Sequence, residues 1–296
     1  MRDTRVYARV PPHSAALALR RPPSLLTLGT APADPVPMRL ATWNVNSLVV
    51  RLPRLLAWLE AVRPDVLCVQ ETKVAEASFP ALELAALGYE VAAHGTGRWN
   101  GVAILSRVGL QDVRRGFVDE PAFTEVEARS IDAVCGGVRV WSVYVPNGRA
   151  LDSPHYAYKL AWLARLHDVL QWEDPASQPV AVCGDFNIAP SDDDVWDPAV
   201  FVGATHVSAA ERDALTALLR LGFVDTPPRA IKGRPFTYWD YRAGMFHRGE
   251  GMRIDLVLLS QVLAPRVVDA YIDRDARKGT APSDHAPVVV DLDLGA

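Results

Sequence analysis

The chain has 296 residues, 49% hydrophobic and 22% charged, which is the composition of a folded protein with a sizeable core. Its formal net charge of −4 does not indicate a nucleic-acid binder, so a polyanionic partner would require a local basic patch or metal ions held by carboxylates. No apolar run approaches the roughly 18 residues that span a membrane, which disfavours a membrane protein. Three well-separated cysteines, Cys68, Cys135 and Cys183, predict buried thiols in a reducing cytosol and disfavour a disulfide framework or a zinc site.

The N-terminal 37 residues differ in composition from the rest of the chain. They hold five arginines against two aspartates, and their best apolar stretch ends at Arg20. That stretch is too short for the core of a signal peptide. We therefore predict that residues 1–37 are a disordered extension or a mis-assigned start, and that residues 38–296 form a single domain, because Met38 opens the first credible strand.

After Met38 the sequence alternates strand patterns with helical patterns and then becomes richer in strands. Strands are predicted at residues 39–46, 66–70, 89–93, 101–105, 124–134, 138–145, 179–183, 254–259 and 288–292. Helices are predicted at residues 53–61, 79–87, 155–170 and 209–221. The two glycines at 136–137 predict a hairpin turn, and Ser208 predicts the N-cap of the last helix.

Polar side chains fall at the ends or flanks of these apolar strands. Each one alone is explained by a turn, because Asn and Asp favour strand termini for local hydrogen-bonding reasons. The recurrence is harder to explain in this way, above all for a glutamate that directly follows a buried strand. Strand ends at one edge of a sheet converge on a single cleft, so we expect these residues to meet: Asn44, Glu71, Tyr144, Asp185, Asn187, Asp255, Asp284 and His285.

This set has the chemistry needed to hydrolyse a phosphodiester. The oxygens of Glu71 and a neighbouring Asn or Asp suit Mg²⁺, with Mn²⁺ as an alternative, better than they suit zinc. Asp185 would orient or deprotonate a water, and Asn187 would hold that water or a phosphate oxygen. His285 paired with a carboxylate would neutralise charge at phosphorus, and Tyr144 adds a phenol donor.

Six short motifs occur in one order along the chain: WNVN at 43–46, QETK at 70–73, YVPNG at 144–148, GDFNIAP at 184–190, RID at 253–255 and SDHAP at 283–287. Together they resemble exodeoxyribonuclease III and the abasic-site endonucleases of the endonuclease/exonuclease/phosphatase superfamily. GDFN and SDH are shared across that superfamily, whereas all six motifs favour the abasic-site branch. The resemblance covers about residues 38–294 and implies an α/β fold, a four-layer α-β-β-α sandwich of two packed mixed sheets with helices outside.

The resemblance implies metal ligands at three positions. Glu71 resembles the metal-binding glutamate, Asn44 lies close by, and Asp284 resembles a second ligand or its support. Which carboxylate would hold which ion stays open. Asn46 stands where some relatives carry an aspartate ligand, which points to a single tightly bound metal.

Catalytic roles are implied in the same way. Asp185 resembles the aspartate that activates or orients the attacking water, with Asn187 as its neighbour. Asp255 and His285 resemble the Asp–His pair at the scissile phosphate, and Tyr144 resembles the tyrosine that contacts it.

Backbone geometry disfavours the neighbouring Asp284 as the partner of His285. Adjacent side chains on an extended segment point to opposite faces, so the neighbouring Asp284 is poorly placed to orient the ring. We expect the hydrogen-bonded pair to be Asp255–His285, with Asp284 facing the metal side or the loop backbone.

The segment 227–253 carries six Lys or Arg residues against two acids, a local charge of +4, with five aromatic residues interleaved. Cations for phosphates and rings for an exposed sugar are typical of a nucleic-acid surface, although a surface loop with partly buried aromatics is the simpler alternative. In the related family this segment lines a pocket for the base-free deoxyribose, and nearby loops reach the DNA backbone. The residues predicted to contact DNA are Lys73, Arg98, Asn147, Arg149, Tyr238, Trp239, Arg242, Met252 and Ile254, and Met252 lies where some relatives place a larger aromatic residue.

The leading hypothesis is a Mg²⁺-dependent DNA repair phosphodiesterase that cuts 5′ to an abasic site, leaves a 3′-hydroxyl, and trims or unblocks 3′ ends of duplex DNA. One alternative is a less specific DNase or another phosphodiesterase or phosphatase of the same superfamily. A second alternative is a catalytically idle DNA-binding paralogue, which is disfavoured because each expected catalytic position is filled. The hypothesis expects a monomer that acts in the cytoplasm, at the nucleoid, on double-stranded DNA.

Overall fold

The structure of the protein is a computed structural model, and it describes residues 37–117 and 127–295. The prediction for residues 1–37 lies outside this part of the chain, apart from Pro37, which begins the first strand. The start of the strand predicted at 124–134 lies outside it as well. No helix within the described ranges is long and apolar enough to cross a membrane.

The described residues form strands and helices that alternate early in the chain. The strands are β1 (Pro37–Asn44), β2 (Val66–Gln70), β3 (Glu90–His94), β4 (Val102–Ser106), β5 (Gln111–Arg115), β6 (Ser130–Cys135), β7 (Val138–Tyr144), β8 (Val180–Asp185), β9 (Phe223–Asp225), β10 (Arg229–Ala230), β11 (Asp255–Ser260), β12 (Val267–Ile272) and β13 (Val288–Asp293). The helices are α1 (Leu48–Val62), α2 (Ala81–Ala86), α3 (Pro154–Leu170), α4 (Ala209–Arg220) and α5 (Met245–Arg248).

These strands build two mixed sheets. The first has the order β10-β12-β13-β1-β2-β4-β3, and the second has the order β5-β6-β7-β8-β11-β9. In the first sheet β1 is parallel to β2 and antiparallel to β13, and in the second β8 is parallel to β7 and antiparallel to β11. The prediction of two mixed sheets is confirmed.

The four layers follow from the alternation of side chains along each strand. On β1, Leu40 joins the core between the two sheets, whereas Ala41 and Trp43 join the core that the first sheet forms with α1 and α2. The outer face of the second sheet packs on α3 and α4 through a third core that includes Trp162 and Leu218. Because both faces of each sheet are covered, most of the central strands are buried along their length.

The helices that flank the site begin where local chemistry allows. Ser208 caps α4 and forms a reciprocal capping box with Glu211, as the sequence predicts for the cap. The helix predicted from residue 53 instead begins at Leu48, so Pro53 lies inside α1 rather than in its first turn.

Four strands and one helix were not predicted: β5, β9, β10, β12 and α5. The strand β5 reads as polar, yet Arg114 on β5 lies opposite Asp132 on β6 and donates to its carboxylate at 2.8 Å. Cross-strand ion pairing of this kind stabilises an edge strand that has no apolar alternation. The hairpin of β6 and β7 across Gly136 and Gly137 is as predicted.

Strand direction brings the polar strand ends together. The ends of β7 and β8 lie beside the start of β11, because β11 runs antiparallel to β8; Asp255 therefore lies opposite Asp185, and Tyr144 lies opposite Asp185 on the other side. In the first sheet the end of β1 lies next to the end of β2 and near the start of β13. One edge of the sandwich thus collects the functional side chains.

Candidate active site

The centre of this edge is a row of three buried side chains. His285 is hydrogen bonded through Nδ1 to Oδ2 of Asp255 at 2.8 Å, and its Nε2 lies 3.8 Å from Oδ2 of Asp185. All three side chains are at most 4% exposed. The predicted pairing of His285 with Asp255 is present in the structure. Asp284, as expected, turns away from the ring and accepts a hydrogen bond from Asn46 Nδ2 at 3.1 Å.

The charged groups in this row change one another's pKa values. Burial raises the pKa of Asp185 to about 7, against the opposing effect of His285, and the carboxylates of Asp255 and Glu71 add to the increase. Burial alone would lower the pKa of His285, but Asp255 and Asp185 outweigh it and raise that pKa to about 10. At neutral pH the ring is therefore protonated, while Asp185 is close to the midpoint of its own titration.

Glu71 stands beside the row with both oxygens engaged. Its Oε1 accepts a hydrogen bond from Asn44 Nδ2 at 2.9 Å, and its Oε2 pairs with Lys73 Nζ at 2.7 Å. Burial would raise the pKa of Glu71, but Lys73 and the hydrogen bond from Asn44 outweigh burial and lower it. The same Nδ2 of Asn44 also donates to Asp185 Oδ2 at 3.0 Å, so Asn44 braces two carboxylates against each other.

This geometry differs from the predicted role of Asn44 as a metal ligand. Its Oδ1 accepts from the backbone N–H of Asn46 at 2.9 Å, which directs the amide nitrogen, not the oxygen, toward the carboxylates. In the structure Asn44 therefore orients two carboxylates and does not present an oxygen to a cation. Lys73, predicted to contact DNA, is also engaged locally, since it donates to Asn46 Oδ1 at 2.6 Å in addition to pairing with Glu71.

The residues fit a cation at this place. Ligand atoms of Glu71, Asp185 and His285 lie within 4.8 Å of one another. A protonated imidazole is not a ligand, so the two carboxylates are the groups available to a metal. Buried Oδ1 of Asp255 has no hydrogen-bond partner, and the three carboxylates outnumber the two cations beside them, the His285 imidazolium and the Lys73 ammonium, so negative charge is in excess. Hard carboxylate oxygens suit a hard divalent cation.

Asn187 reaches the row from the loop that follows β8. Its backbone N–H donates to Asp185 Oδ1 at 2.9 Å, and its Nδ2 donates to Val145 O at 2.9 Å. Its Oδ1 accepts from Asn147 Nδ2 at 3.1 Å and lies 3.1 Å from His206 Nε2. Sequence reasoning missed His206, because a histidine in an irregular loop carries no periodic signal.

Several site residues adopt a left-handed backbone although none is a glycine. The φ angles are 51° at Glu71, 53° at Lys73, 51° at Asn187 and 80° at His206. Such conformations are strained for side-chain-bearing residues, and they concentrate where surrounding contacts hold functional groups in place.

The row forms part of the wall of an open cleft of about 610 Å³. Of the residues predicted to contact DNA, the cleft is lined by Asn147, Arg149, Tyr238, Arg242, Met252 and Ile254. The ring of Tyr238 packs on His285 with centroids 4.9 Å apart. Trp196 and Phe201 also line the cleft and were not predicted.

The prediction that Trp239 lines the pocket is wrong. Trp239 is 1% exposed and belongs to the core between the sheets, where its ring packs edge-on against Phe246. The segment is extended here, so the side chains of Tyr238 and Trp239 point to opposite sides, and of these two it is Tyr238 that faces the cleft. Arg98 lies elsewhere too, with its guanidinium 5.2 Å from the ring centre of Trp99 and away from the cleft wall.

The basic segment 227–253 has less free charge than its sequence indicates. Arg253 is buried and pairs with Asp194 and Asp225, and Arg229 pairs with Asp269 at 2.7 Å. Within the segment, Arg242 pairs with Asp240 and Arg248 with Glu250. Of these cations, Arg242 lines the cleft and is 86% exposed.

A two-sheet α/β sandwich with a buried histidine among carboxylates at one edge is typical of metal-assisted phosphoester hydrolysis. The model of the Endonuclease/Exonuclease/phosphatase family matches residues 41–285, and the chain belongs to this family. It is an enzyme of the exodeoxyribonuclease III-like type, a phosphodiester hydrolase.

Three relatives support this assignment. The chain is 33% identical over 265 residues to exodeoxyribonuclease III of Haemophilus influenzae, covering 85% of this chain and 98% of that protein. It resembles the solved structure of an AP endonuclease from Archaeoglobus fulgidus with a TM-score of 0.82 and 39% identity, covering 87% of this chain and 100% of that one. It also resembles the 3′ phosphatase NExo from Neisseria bound to a product DNA hairpin, with a TM-score of 0.81, 40% identity and the same coverage of both chains.

Proposed function

We propose that this protein is a Mg²⁺-dependent abasic-site endonuclease that cuts duplex DNA 5′ to the lesion and leaves a 3′-hydroxyl. The observation that carries the proposal is the row Asp255–His285–Asp185, braced to Glu71 through Asn44, in the wall of a cleft that Tyr238 also lines. A base-free deoxyribose has an apolar face and no base to hydrogen bond, which suits a wall of this kind.

The attacking water would be managed by Asp185 and Asn187. A carboxylate with a pKa near 7 can take a proton from water at neutral pH, and its oxygens are held by the backbone of Asn187 and by Asn44. As the water attacks phosphorus, its proton passes to Asp185 and the bond from phosphorus to the 3′ oxygen breaks. The leaving 3′ oxygen takes up a proton from solvent and remains as a hydroxyl on the upstream strand, while the phosphate stays on the 5′ oxygen of the abasic residue.

Charge that develops at phosphorus would meet three donors. The Nε2–H of His285 faces the same space as Asp185, while Asp255 fixes the tautomer and orientation of the ring. Burial and the carboxylates of Glu71 and Asp185 raise the pKa of Tyr144 well above its usual range, so its phenol stays protonated and can donate. Asn147 adds an amide from the neighbouring loop, whose second hydrogen is free when His206 carries its proton on Nε2.

Glu71 would hold the Mg²⁺ ion, with Asp284 at the rim, and Mn²⁺ is an alternative occupant. When bound, the ion would offset the excess negative charge and polarise the phosphate. Trimming and unblocking of 3′ ends belongs to the same proposal, because the open cleft leaves room for a strand terminus. The proposal also includes that the protein acts as a monomer and that it works in the cytoplasm, at the nucleoid.

The test is incision of a duplex oligonucleotide that carries one tetrahydrofuran abasic analogue, with Mg²⁺ or with EDTA. We expect cutting only with Mg²⁺, immediately 5′ of the analogue, and slower removal of a 3′-phosphate from a nicked duplex. Equal cutting of the undamaged duplex would instead support a less specific nuclease of the same superfamily. Binding without any cutting would support a catalytically idle paralogue.

A further inference from the structure

Three loops of the active site converge on one buried ion pair between α3 and α4. Lys159 and Glu211 form this pair, and both side chains are fully buried. The ammonium of Lys159 also donates to the backbone oxygens of Asn187 at 2.7 Å and of Asn147 at 3.4 Å. The Oε1 of Glu211 accepts from the backbone N–H of His206 at 2.9 Å and from Thr205 Oγ1 at 2.7 Å.

His206 connects the Lys159–Glu211 ion pair to the loop that carries Asn187. Its backbone is tied to Glu211, while its imidazole Nε2 lies 3.1 Å from Asn187 Oδ1 and 3.2 Å from Asn147 Nδ2. The ring lines the cleft although the residue is only 9% exposed. It is thus held at one end by the scaffold and contacts two asparagines of the site at the other.

The tautomer of the ring decides which of the two amides it holds directly, and Asn147 itself donates to Asn187 Oδ1 at 3.1 Å. With the proton on Nδ1, Nε2 accepts from Asn147; with the proton on Nε2, the ring donates to Asn187. Burial, together with nearby Lys159, lowers the pKa of His206 to about 4, so the ring stays neutral at working pH. Since Asn187 Nδ2 already donates to Val145 O, the contact at Oδ1 completes the fixing of that amide.

The backbone conformation at His206 is unfavourable for a residue that carries a side chain. Its φ of 80° is a conformation that glycine adopts freely and that side-chain-bearing residues rarely adopt. A glycine would satisfy the same Glu211 contact, because only the backbone N–H takes part in it. A histidine here therefore calls for a function of the imidazole itself.

We propose that His206 is a positioning residue, whose imidazole holds the side-chain amide of Asn187 in place beside Asp185. The inference rests on the proposed abasic-site activity, in which Asn187 helps to hold the attacking water. His206 touches neither the water nor the phosphate, so its effect is exerted through Asn187. Misplacement of such a group lowers the rate of the chemical step more than it lowers affinity for DNA.

The test compares H206A, H206G and H206N in the full-length enzyme, using the abasic-analogue duplex with Mg²⁺. Alanine and glycine both remove the ring, but only glycine relieves the backbone strain. We expect both to lower kcat by about tenfold to a hundredfold at unchanged KM, and H206G to unfold at a higher temperature than H206A. Asparagine tolerates the left-handed backbone, but its amide is too short to reach the position of Nε2, so H206N should lose kcat as H206G does.

If the loop backbone alone mattered, H206G would recover the activity that H206A loses, and that result would overturn the inference. A rise in KM with kcat unchanged would overturn it as well, because it would place His206 in DNA binding. R63G is the matched control: Arg63 is exposed, has a φ of 52° at the end of α1, and should change only stability.

A second measurement does not depend on activity. In ¹⁵N-labelled protein the side-chain amide resonances of Asn147 and Asn187 should shift in H206A and H206G and stay in place in R63G. Wild-type enzyme that fails to cut the analogue would reject the proposed function, while the amide resonances would still decide whether His206 positions Asn187. Unshifted resonances in H206G would reject the positioning role.

Discussion

Two groups of buried charge lie on either side of Asn187, and they differ in how far each is satisfied. In the pair Lys159–Glu211 each polar atom has a partner: the ammonium reaches three acceptors, and both carboxylate oxygens accept from loop donors. In the row of Asp185, Asp255 and His285 negative charge is in excess, and Asp255 Oδ1 is buried without a hydrogen bond.

The difference separates scaffold from site. A buried ion pair whose atoms are all engaged holds its surroundings in one arrangement and has little left to offer a ligand. A buried cluster with excess charge destabilises the folded chain, but it offers affinity for a cation and shifted pKa values for proton transfer. Mutations in the two clusters should therefore have opposite effects on stability.

The largest effect on activity is expected for Asp185→Asn. Removing this charge should lower kcat by about a thousandfold or more, because the acceptor for the water's proton is lost. In EDTA the same variant should melt at a higher temperature than wild type, since one of the crowded buried carboxylates becomes neutral. Steady-state incision and thermal unfolding measure the two effects, and a lower melting temperature in EDTA would contradict the excess-charge account.

The largest effect on stability is expected for Lys159→Met. It leaves Glu211 buried without its counterion and removes a donor from Asn187 O, at a cost of about 3–5 kcal/mol in the free energy of unfolding. Urea unfolding followed by circular dichroism measures this cost. The matched control is Lys278→Met, because Lys278 forms an exposed pair with Asp275 that should contribute little. Equal losses in the two variants would show that burial of the first pair does not matter.

The pH dependence of the unfolding free energy tests His206, which lies beside the Lys159–Glu211 pair. The pKa of His206 falls on folding from 6.5 to about 4, by burial and by Lys159, while Glu211 opposes and His285 adds to the decrease. Between pH 6.5 and pH 4 the imidazole of His206 binds a proton in the unfolded chain but stays neutral in the native protein. The stability that His206 contributes is therefore complete above pH 6.5 and is lost as pH falls toward 4, by at most about 3 kcal/mol.

Comparison with H206N isolates this contribution from carboxylates that titrate over the same range. Unfolding free energies at pH 6.5, 5.5 and 4.5 should fall more steeply for wild type than for H206N. Parallel curves for the two proteins would mean that the ring already binds its proton in the native state.

The sequence predicted the elements whose ends are marked by local chemistry. β2 has the predicted bounds because Pro64 precedes it and the polar Glu71 follows an unbroken apolar run. The pairing of Asp255 with His285 was also predicted, because the family resemblance pointed to Asp255 and the alternation of side chains disfavoured Asp284. The first prediction depends on neighbours in sequence, and the second depends on the resemblance together with strand geometry.

What could not be predicted depends on contacts between distant segments. Arg253 has its partners 28 and 59 residues away, so its burial between Asp225 and Asp194 leaves no trace in the local pattern. Trp239 was misplaced because an aromatic pair in a loop does not show which ring faces the core. The strained loop residue His206 was missed for the same reason, since only the folded chain brings it to Asn187.

The smallest effect compares two arginines of the basic segment 227–253. Both are ion-paired, Arg242 with Asp240 and Arg229 with Asp269, but Arg242 lines the cleft and is 86% exposed, so it is the one placed to meet a phosphate. Arg242→Ala should raise KM for the abasic duplex a few-fold and reduce the slope of log affinity against log salt by about one, with kcat nearly unchanged. Arg229→Ala should leave that slope as it is. A similar fall in slope for both would mean that the whole segment contacts DNA, as its sequence first indicated, and that the observed ion pair opens when the substrate binds.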